Sequence, residues 1–403
     1  MDRTLELDLL QTLTLAAVVY FGGILLRRRV EWLDRLNIPA AVIGGLLFTL
    51  LVLGGRQAGY GLTLDTSAQS LLSVAFFTSI GMSASLALLR AGGIQVGVFL
   101  LLATAFCFVQ NFLGMGIARA FGEHPLLGVM AGSVTLVGGP ATGMAFAPVF
   151  EEAGLAGAAP LALAAATIGI VFGGLTGGPA GTWLVRRHRL RSEGAPPGEM
   201  AAELDARPET IVVEVEQEDT ALVRNMIVLA VAMGIGSVVS PLIGSLGVTL
   251  PAYIGAMMVA AVLRNIDDAT GFFRIDQRAM EFVGNLALNI FLTVALMTLQ
   301  PWQLAGVAAP LLVILAAQVL VVLAFAVTLS WVIMGKDYDS AVMSSGFVGF
   351  VLGTTANAVA NMRALVARFG PAPRAFLVVP LVGAFFIDFT NAIIITFFVN
   401  WLR

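Results

Sequence analysis

One cysteine and two histidines are spread through 403 residues, a scarcity that excludes most metal and nucleophile chemistry at the outset. Cys107 sits inside a hydrophobic run, so no intrachain disulfide can form. His124 and His188 lie far apart at the ends of such runs. That leaves no zinc cluster and no Ser/His or Cys/His pair for the apolar interior. No acid–base pair recurs within the hydrophobic spans, so an enzyme is disfavoured. Charge is scarce as well: charged residues make up 12% of the chain, against roughly a quarter in soluble domains. No basic patch is present for nucleic acid. The N-terminus lacks the basic region of a cleavable signal, since Asp2, Glu6 and Asp8 precede the first apolar run.

What is abundant is hydrophobic length, at 58% of residues. Runs near 8–26, 36–54, 70–88, 94–118, 160–185, 222–246, 249–263, 281–299, 305–334 and 375–401 predict ten transmembrane helices. Two more uncharged stretches, Pro125–Phe150 and Ser340–Met362, are long enough to span but carry helix-breaking centres. The first contains Val137-Gly138-Gly139-Pro140-Ala141-Thr142-Gly143. The second contains Gly346, Gly349 and Gly353-Thr354-Thr355-Ala356-Asn357.

Charge decides whether these two stretches cross or return. If both crossed, the Arg186–Arg191 cluster, Arg224, Arg264, Arg274, Arg278 and Lys336 would turn outward. If both return to the side they entered, all but four of the 22 Lys and Arg fall on the cytoplasmic side, the exceptions being Arg3, Arg56, Arg119 and Arg403. The positive-inside rule selects the second arrangement and places both termini outside.

The halves also match. Pro39-Ala40 recurs as Pro251-Ala252 and Gln110 as Gln318, while an offset of 214 pairs Gly139 with Gly353 and Gly169 with Gly383. Five spans per half make the second copy inverted. The predicted fold is therefore an all-α polytopic membrane protein of ten transmembrane helices and two re-entrant hairpins in two inverted five-helix repeats. The repeats are 1–191, with a hairpin at about 125–150, and 221–403, with a hairpin at about 340–362. An acidic cytoplasmic linker, 192–220, joins them and carries one strand-like piece at Ile211–Val215.

Broken segments at membrane depth leave N–H and C=O groups without helical partners. Outward N–H groups suit a carboxylate, and free carbonyls and hydroxyls suit sodium. The candidate polar groups are Ser133, Thr135 and Thr142 in the first hairpin, and Ser344, Ser345, Thr354, Thr355, Asn357 and Asn361 in the second. Small residues that merely let helices pack closely are the bland alternative for each taken singly. Asp388 is the sharpest single residue. It lies about 13 residues into the tenth helix, roughly 20 Å at 1.5 Å per residue. A carboxylate at that depth is a functional candidate by default, and Asn391 shares its face. Hydroxyls, amides and carbonyls rather than histidine surround it in sequence, which favours sodium over a proton relay. Gln110-Asn111, Asn285 and Asn289 are intramembrane amides, more often helix glue than ligands. Arg363 and Arg374 flank the second hairpin as ordinary cytoplasmic positive charge.

At these residues the chain resembles the bacterial sodium/glutamate symporter family. The matching stretches include Phe76-Phe77-Thr78-Ser79-Ile80-Gly81-Met82, Ala131-Gly132-Ser133-Val134-Thr135-Leu136 and Gly173-Gly174-Leu175-Thr176-Gly177-Gly178-Pro179. Further on come Met334-Gly335-Lys336-Asp337-Tyr338-Asp339, Arg368-Phe369-Gly370-Pro371 and Val382-Gly383-Ala384-Phe385-Phe386-Ile387-Asp388. The resemblance implies secondary active uptake of L-glutamate with sodium by a homodimer in the bacterial inner membrane. It also implies elevator-like movement of a substrate-carrying domain, and a site where the hairpins meet. Two departures touch that site. The family's usual Gly-Gly-His-Gly-Thr-Gly is here Gly138-Gly139-Pro140-Ala141-Thr142-Gly143. Its Gly-Ala-Thr-Pro-Thr-Ala is Gly353-Thr354-Thr355-Ala356-Asn357-Ala358.

The expected function is thus a sodium-coupled glutamate transporter with sodium as coupling ion and no other cofactor. A symporter for another small carboxylate or amino acid is the first alternative, a passive channel the second. Substrate is expected at Gly138, Gly139, Thr142, Gly143, Thr354, Thr355, Asn357 and Asn361. Sodium is expected at Ser133, Thr135, Asp388 and Asn391, held by Asp388 and hairpin carbonyls.

Overall fold

The computed structural model describes residues 3–31, 33, 38–57, 60–192, 215–245, 251–300, 304 and 306–403. Strand β1 (Arg3–Leu7) leads into α1 (Leu9–Arg29), α2 (Ala40–Gln57), β2 (Tyr60–Leu64), α3 (Ser67–Gly81), a short α4 (Leu86–Ala91) and α5 (Gly93–Ala120). Helix α6 (Pro125–Val129) runs into a π-helical turn at Met130–Val134, and α7 (Gly139–Glu152) and α8 (Ala158–His188) follow. The second half holds α9 (Val215–Gly244), α10 (Ala252–Thr270), α11 (Gln277–Met297) and α12 (Ala308–Phe325), the last continued by a π turn at Ala326–Ser330. It closes with α13 (Tyr338–Leu352), α14 (Thr355–Phe369), α15 (Pro373–Leu381), a π turn at Val382–Phe386 and α16 (Ile387–Leu402).

Among the described residues, six helical segments are long and apolar enough to cross a membrane: α1, α5, α8, Leu222–Gly244, α11 and Ala308–Met334. Helices α3 and α16 and the Pro125–Val134 segment are apolar but shorter. The chain is a membrane protein of the all-α class, built almost wholly of helices. Three local expectations change. The predicted 70–88 helix stops at Gly81, because Ser85 caps a separate turn by accepting the Leu88 N–H at 3.1 Å. Residues 215–220, read as linker, already belong to α9, while most of the expected strand-like piece lies outside the described residues. And a parallel pair, β1 with β2, joins Arg3 to Tyr60 through Leu7 to Leu64, which no local pattern had signalled.

The chain forms two compact units, each drawn from both halves of the sequence. The first holds Met1–Ser83, Pro140–Ala164 and Asn225–Ala308; the second holds Ala84–Gly139, Ala165–Arg224 and Ala309–Arg403. In the first, α2 is tied to α11 by the Thr49 hydroxyl, which donates to the Leu296 carbonyl at 2.7 Å. Tyr253 stacks on Phe77 at 4.0 Å and meets the edge of Phe146 at 5.7 Å. The α10–α11 loop is held by Asp267, whose carboxylate accepts from the Phe273, Arg274 and Ile275 amides at 2.7–2.8 Å.

In the second unit the core centres on Phe347 of α13. Its ring meets Phe99 and Phe106 of α5 edge-on at 5.8 and 5.5 Å and stacks on Phe325 of α12 at 5.4 Å. Helix α13 is buried around its circumference from Ser340 to Leu352, and so is the run from Leu126 to Val137. A helix apolar on all sides must be wrapped by protein or lipid, and these two are wrapped by protein. Broken backbone at membrane depth is tolerated only in that setting.

Asp337 anchors the entry to α13. Its carboxylate caps the helix through the Ser340 N–H at 2.8 Å and accepts from Ser340 Oγ at 2.6 Å and from Arg374 at 2.5 and 2.6 Å. Partial burial pushes this carboxyl up, but the Ser340 hydroxyl, the Arg374 guanidinium and the Ser340 amide together outweigh it. The net shift is below the ordinary 3.8. A carboxyl depressed on folding stabilises above its unfolded value, and that contribution is lost as pH falls through the folded value. Asp337→Ala should therefore destabilise by about 1 kcal/mol at neutral pH, a figure kept small because the pair is partly exposed. Thermal unfolding in detergent should separate wild type from variant at pH 7, and the gap should close below pH 3.8.

Candidate substrate and ion site

The two broken segments meet. Gly139, which opens α7, has φ +68°, a left-handed conformation that glycine adopts without a steric penalty. Pro140 follows in the first helical turn, where its missing N–H costs nothing. A methyl group on Gly139 would rest against Thr354 Cγ2 at 3.7 Å and the Gly353 carbonyl at 3.8 Å. Gly353 ends α13, and Thr354 caps α14 by accepting the Asn357 N–H at 3.4 Å. The start of α7 thus lies beside the start of α14, and helix starts present free N–H groups and partial positive charge. Among the described residues no Lys or Arg side chain is in contact with Gly139, so an anion here would be held by backbone dipoles.

Helices α13 and α14 form an antiparallel pair. Gly349 lies against the backbone of Asn357 and Ala358, and Gly346 against Met362. The turn between them is seated on two glycines. Gly169 of α8 packs against the Leu352 carbonyl and also against Leu136 of the first break, so any side chain there would collide with both. Gly383, in the π turn before α16, packs against Thr355, whose hydroxyl donates to its carbonyl at 3.1 Å. These are the glycines that the common sequence offset pairs.

Of the expected ion ligands, Ser133 and Asn391 are brought into contact. The π-helical turn is broken at Gly132 (φ −104°, ψ −129°), which frees the next backbone groups. The Ser133 N–H donates to Asn111 Oδ1 at 2.9 Å, and the Ser133 carbonyl accepts from Asn391 Nδ2 at 2.9 Å and from the Gly138 amide at 3.1 Å. These backbone partners fix both amide orientations. They leave Asn111 Nδ2, Ser133 Oγ and Asn391 Oδ1 buried without hydrogen-bond partners. Buried polar atoms without partners are rare and call for an explanation such as an ion or water. Thr135 does not contribute its proton here, since its hydroxyl donates to the Met130 carbonyl at 2.7 Å. Asp388 stands half-buried in the first turn of α16, three residues before Asn391, and makes no hydrogen bond or ion pair with a described residue.

Other expected residues also make contacts within the protein. Asn357 Nδ2 donates to the Ile170 carbonyl at 2.8 Å and Asn361 Nδ2 to the Gly173 carbonyl at 2.9 Å, fastening α14 to α8. Asn357 Oδ1 stays buried and unpaired. Thr142 and Gly143 are buried in α7, within the stretch belonging to the first unit. Gln110 Nε2 donates to the Val351 carbonyl at 2.8 Å and Gln318 Nε2 to the Gln110 carbonyl at 2.7 Å, so this pair ties α5 and α12 to the second break. Sequence reasoning named Asn111 only as glue and placed the first break at 137–143. The earlier departure at Gly132 was carried by nothing stronger than a Gly-Ser pair.

The sequence profile of the sodium/glutamate symporter family matches residues 5–371. The chain belongs to that family. It is 39% identical to the sodium/glutamate symporter of Escherichia coli (strain K12) over 392 residues, 97% of each chain. It is 38% identical to that of Haemophilus influenzae over 384 residues, 95% of each. Within this symporter-family chain, Gly139→Ala should weaken substrate binding by about five- to thirtyfold, because a Cβ in the left-handed region costs about 1–2 kcal/mol. Gly139→Asn should be milder, since Asn tolerates that region. Substrate affinity measured for both variants checks the order.

Proposed function

We propose that this protein is a secondary active transporter that couples inward sodium movement to uptake of L-glutamate. The observation that carries the reading is the meeting of the two breaks, Gly139 against Gly353 and Thr354. Two helix starts converge there to receive a carboxylate, and unpaired oxygens of Ser133 and Asn391, with Asp388 on the same helix face, stand ready for a cation. The names of the relatives add the cargo, sodium and glutamate.

The breaks act as tips of two re-entrant hairpins belonging to inverted five-helix repeats, with both termini on the periplasmic side of a bacterial inner membrane. Support comes from the distribution of Lys and Arg and from the burial of both first limbs. Alternating access is elevator-like, the second unit carrying the substrate within a homodimer. The division into two compact units, with Gly138, Gly139, Gly353 and Thr354 in the second, supports this. Coupling requires sodium and solute to stabilise each other's binding, a reciprocal free energy of about 1–3 kcal/mol.

A different small carboxylate is the second reading. Pro140 stands where the family's usual hairpin motif has His, and the Asn357 amide donor is already engaged. Counterflow into liposomes, with and without sodium, decides between them. Labelled glutamate should exchange only with sodium present and be displaced by unlabelled glutamate. Stronger displacement by aspartate or a dicarboxylate would move the cargo assignment, and sodium-independent, non-saturating flux would remove the symport reading.

A further inference from the structure

A groove on the second unit has no role in the site described above. Its apolar part, about 360 Å³, runs between α8 and α12 and is lined by Leu175, Pro179, Trp183, Leu323 and Val327. Through Pro179 and Trp183, which line both, it continues into a wider recess of about 770 Å³. There the walls carry Arg186 and Arg187 from the last turn of α8 and Arg368 from the last turn of α14.

We infer that this groove holds an anionic phospholipid, one acyl chain along the α8–α12 face and the headgroup under the three arginines. All three guanidinium groups are on exposed residues, and none forms an ion pair with a described carboxylate. Arg368 is steadied over the Phe369 ring at 5.3 Å. Arginines at one helix end are ordinary for a membrane edge, but a third from a separate helix makes a recess that surrounds an anion. Guanidinium groups bind phosphate with directed hydrogen bonds. Trp183, exposed at the boundary between the apolar and cationic parts, has the amphipathic ring found at headgroup depth. An apolar channel that ends under three cations with no ionic partner among the described residues complements one amphiphile: an apolar chain bearing a phosphate. The inference rests on the chain's lying in a bilayer and not on which solute it carries.

Native mass spectrometry of the detergent-purified full chain tests it, with added phosphatidylglycerol, phosphatidylcholine of the same chains, or inorganic phosphate. Wild type should retain phosphatidylglycerol in preference to phosphatidylcholine. Arg186→Gln/Arg187→Gln/Arg368→Gln should lose that retention at least about tenfold, as removal of several headgroup cations predicts. Arg28→Gln/Arg29→Gln, which changes exposed arginines of the other unit, should leave it unchanged. Should the triple variant fail to fold, Arg368→Gln alone should still weaken retention, and Ala324→Trp, which fills the apolar end, should weaken it with all arginines present. Equal retention of both lipids, full retention by these variants, or phosphate alone competing as well as the lipid would overturn the assignment. So would a wild-type protein whose groove is covered by a second copy and retains no lipid.

Discussion

An Asp388→Asn variant should reach the membrane, bind solute weakly and lose sodium-driven glutamate uptake. The carboxylate stands in the first turn of α16 directly after a π-helical turn, half-buried, with no described hydrogen-bond or ionic partner. A structural aspartate in an apolar protein would be tied to backbone or hydroxyl groups, as Asp267 and Asp337 are. Asp388 lacks such ties among the described residues, which is what a coupling-ion carboxylate requires. Removing one member of a buried charged pair costs about 3–5 kcal/mol. Since about 1.4 kcal/mol is a factor of ten in affinity, half-saturating sodium should rise at least about 100-fold. Asparagine preserves shape, so the protein should remain well folded in size-exclusion chromatography. Wild-type sodium dependence in the Asn variant would remove Asp388 from the coupling site.

Asn391→Ala should have the next largest effect. The side chain holds the Ser133 carbonyl with its Nδ2 and presents a bare Oδ1 beside it. Truncation removes this bare oxygen, the proposed ion ligand, and loosens the break that positions Ser133. Each lost buried hydrogen bond or ligand contact costs about 1–3 kcal/mol, so apparent sodium affinity should fall about 10- to 100-fold. Ser133→Ala removes only a hydroxyl and should fall at the lower end. The two effects should not add, since both act on one backbone position. A variant in which glutamate affinity in saturating sodium falls as far as sodium affinity would mean that Asn391 supports the fold of the break rather than the cation.

The helices were legible because apolar length sets them: α5, α8, α11 and the Ala308–Met334 segment fall within a few residues of the runs that predict them. Both breaks were legible from Gly and Pro. The β1–β2 pair was not, because a parallel pairing of residues so far apart leaves no local signature. Nor was the kink at Gly132, since Met130-Ala131-Gly132-Ser133-Val134 reads as acceptable helix and the departure depends on Asn111 accepting the Ser133 amide. Asn357 and Asn361 illustrate the opposite limit. Their place in the second hairpin marked them for substrate, and the packed structure adds what no sequence pattern signalled, that their amide donors fasten α14 to α8. A hydrogen-bonding side chain announces that it will bond; only the packed structure settles with what.

The most direct measurement uses the single native cysteine to advantage. In a Cys107→Ser background, Gly138→Cys and Ala356→Cys each place one thiol beside a break. Gly138 is half-buried and Ala356 exposed, so both can react with a small maleimide. Labelling rates are compared in membranes with sodium alone, glutamate alone and both together. If the two breaks form one sodium-dependent pocket, sodium and glutamate together should slow both reactions by a similar factor, and glutamate alone should slow neither. Protection confined to one thiol, or equal protection by glutamate without sodium, would contradict the shared pocket.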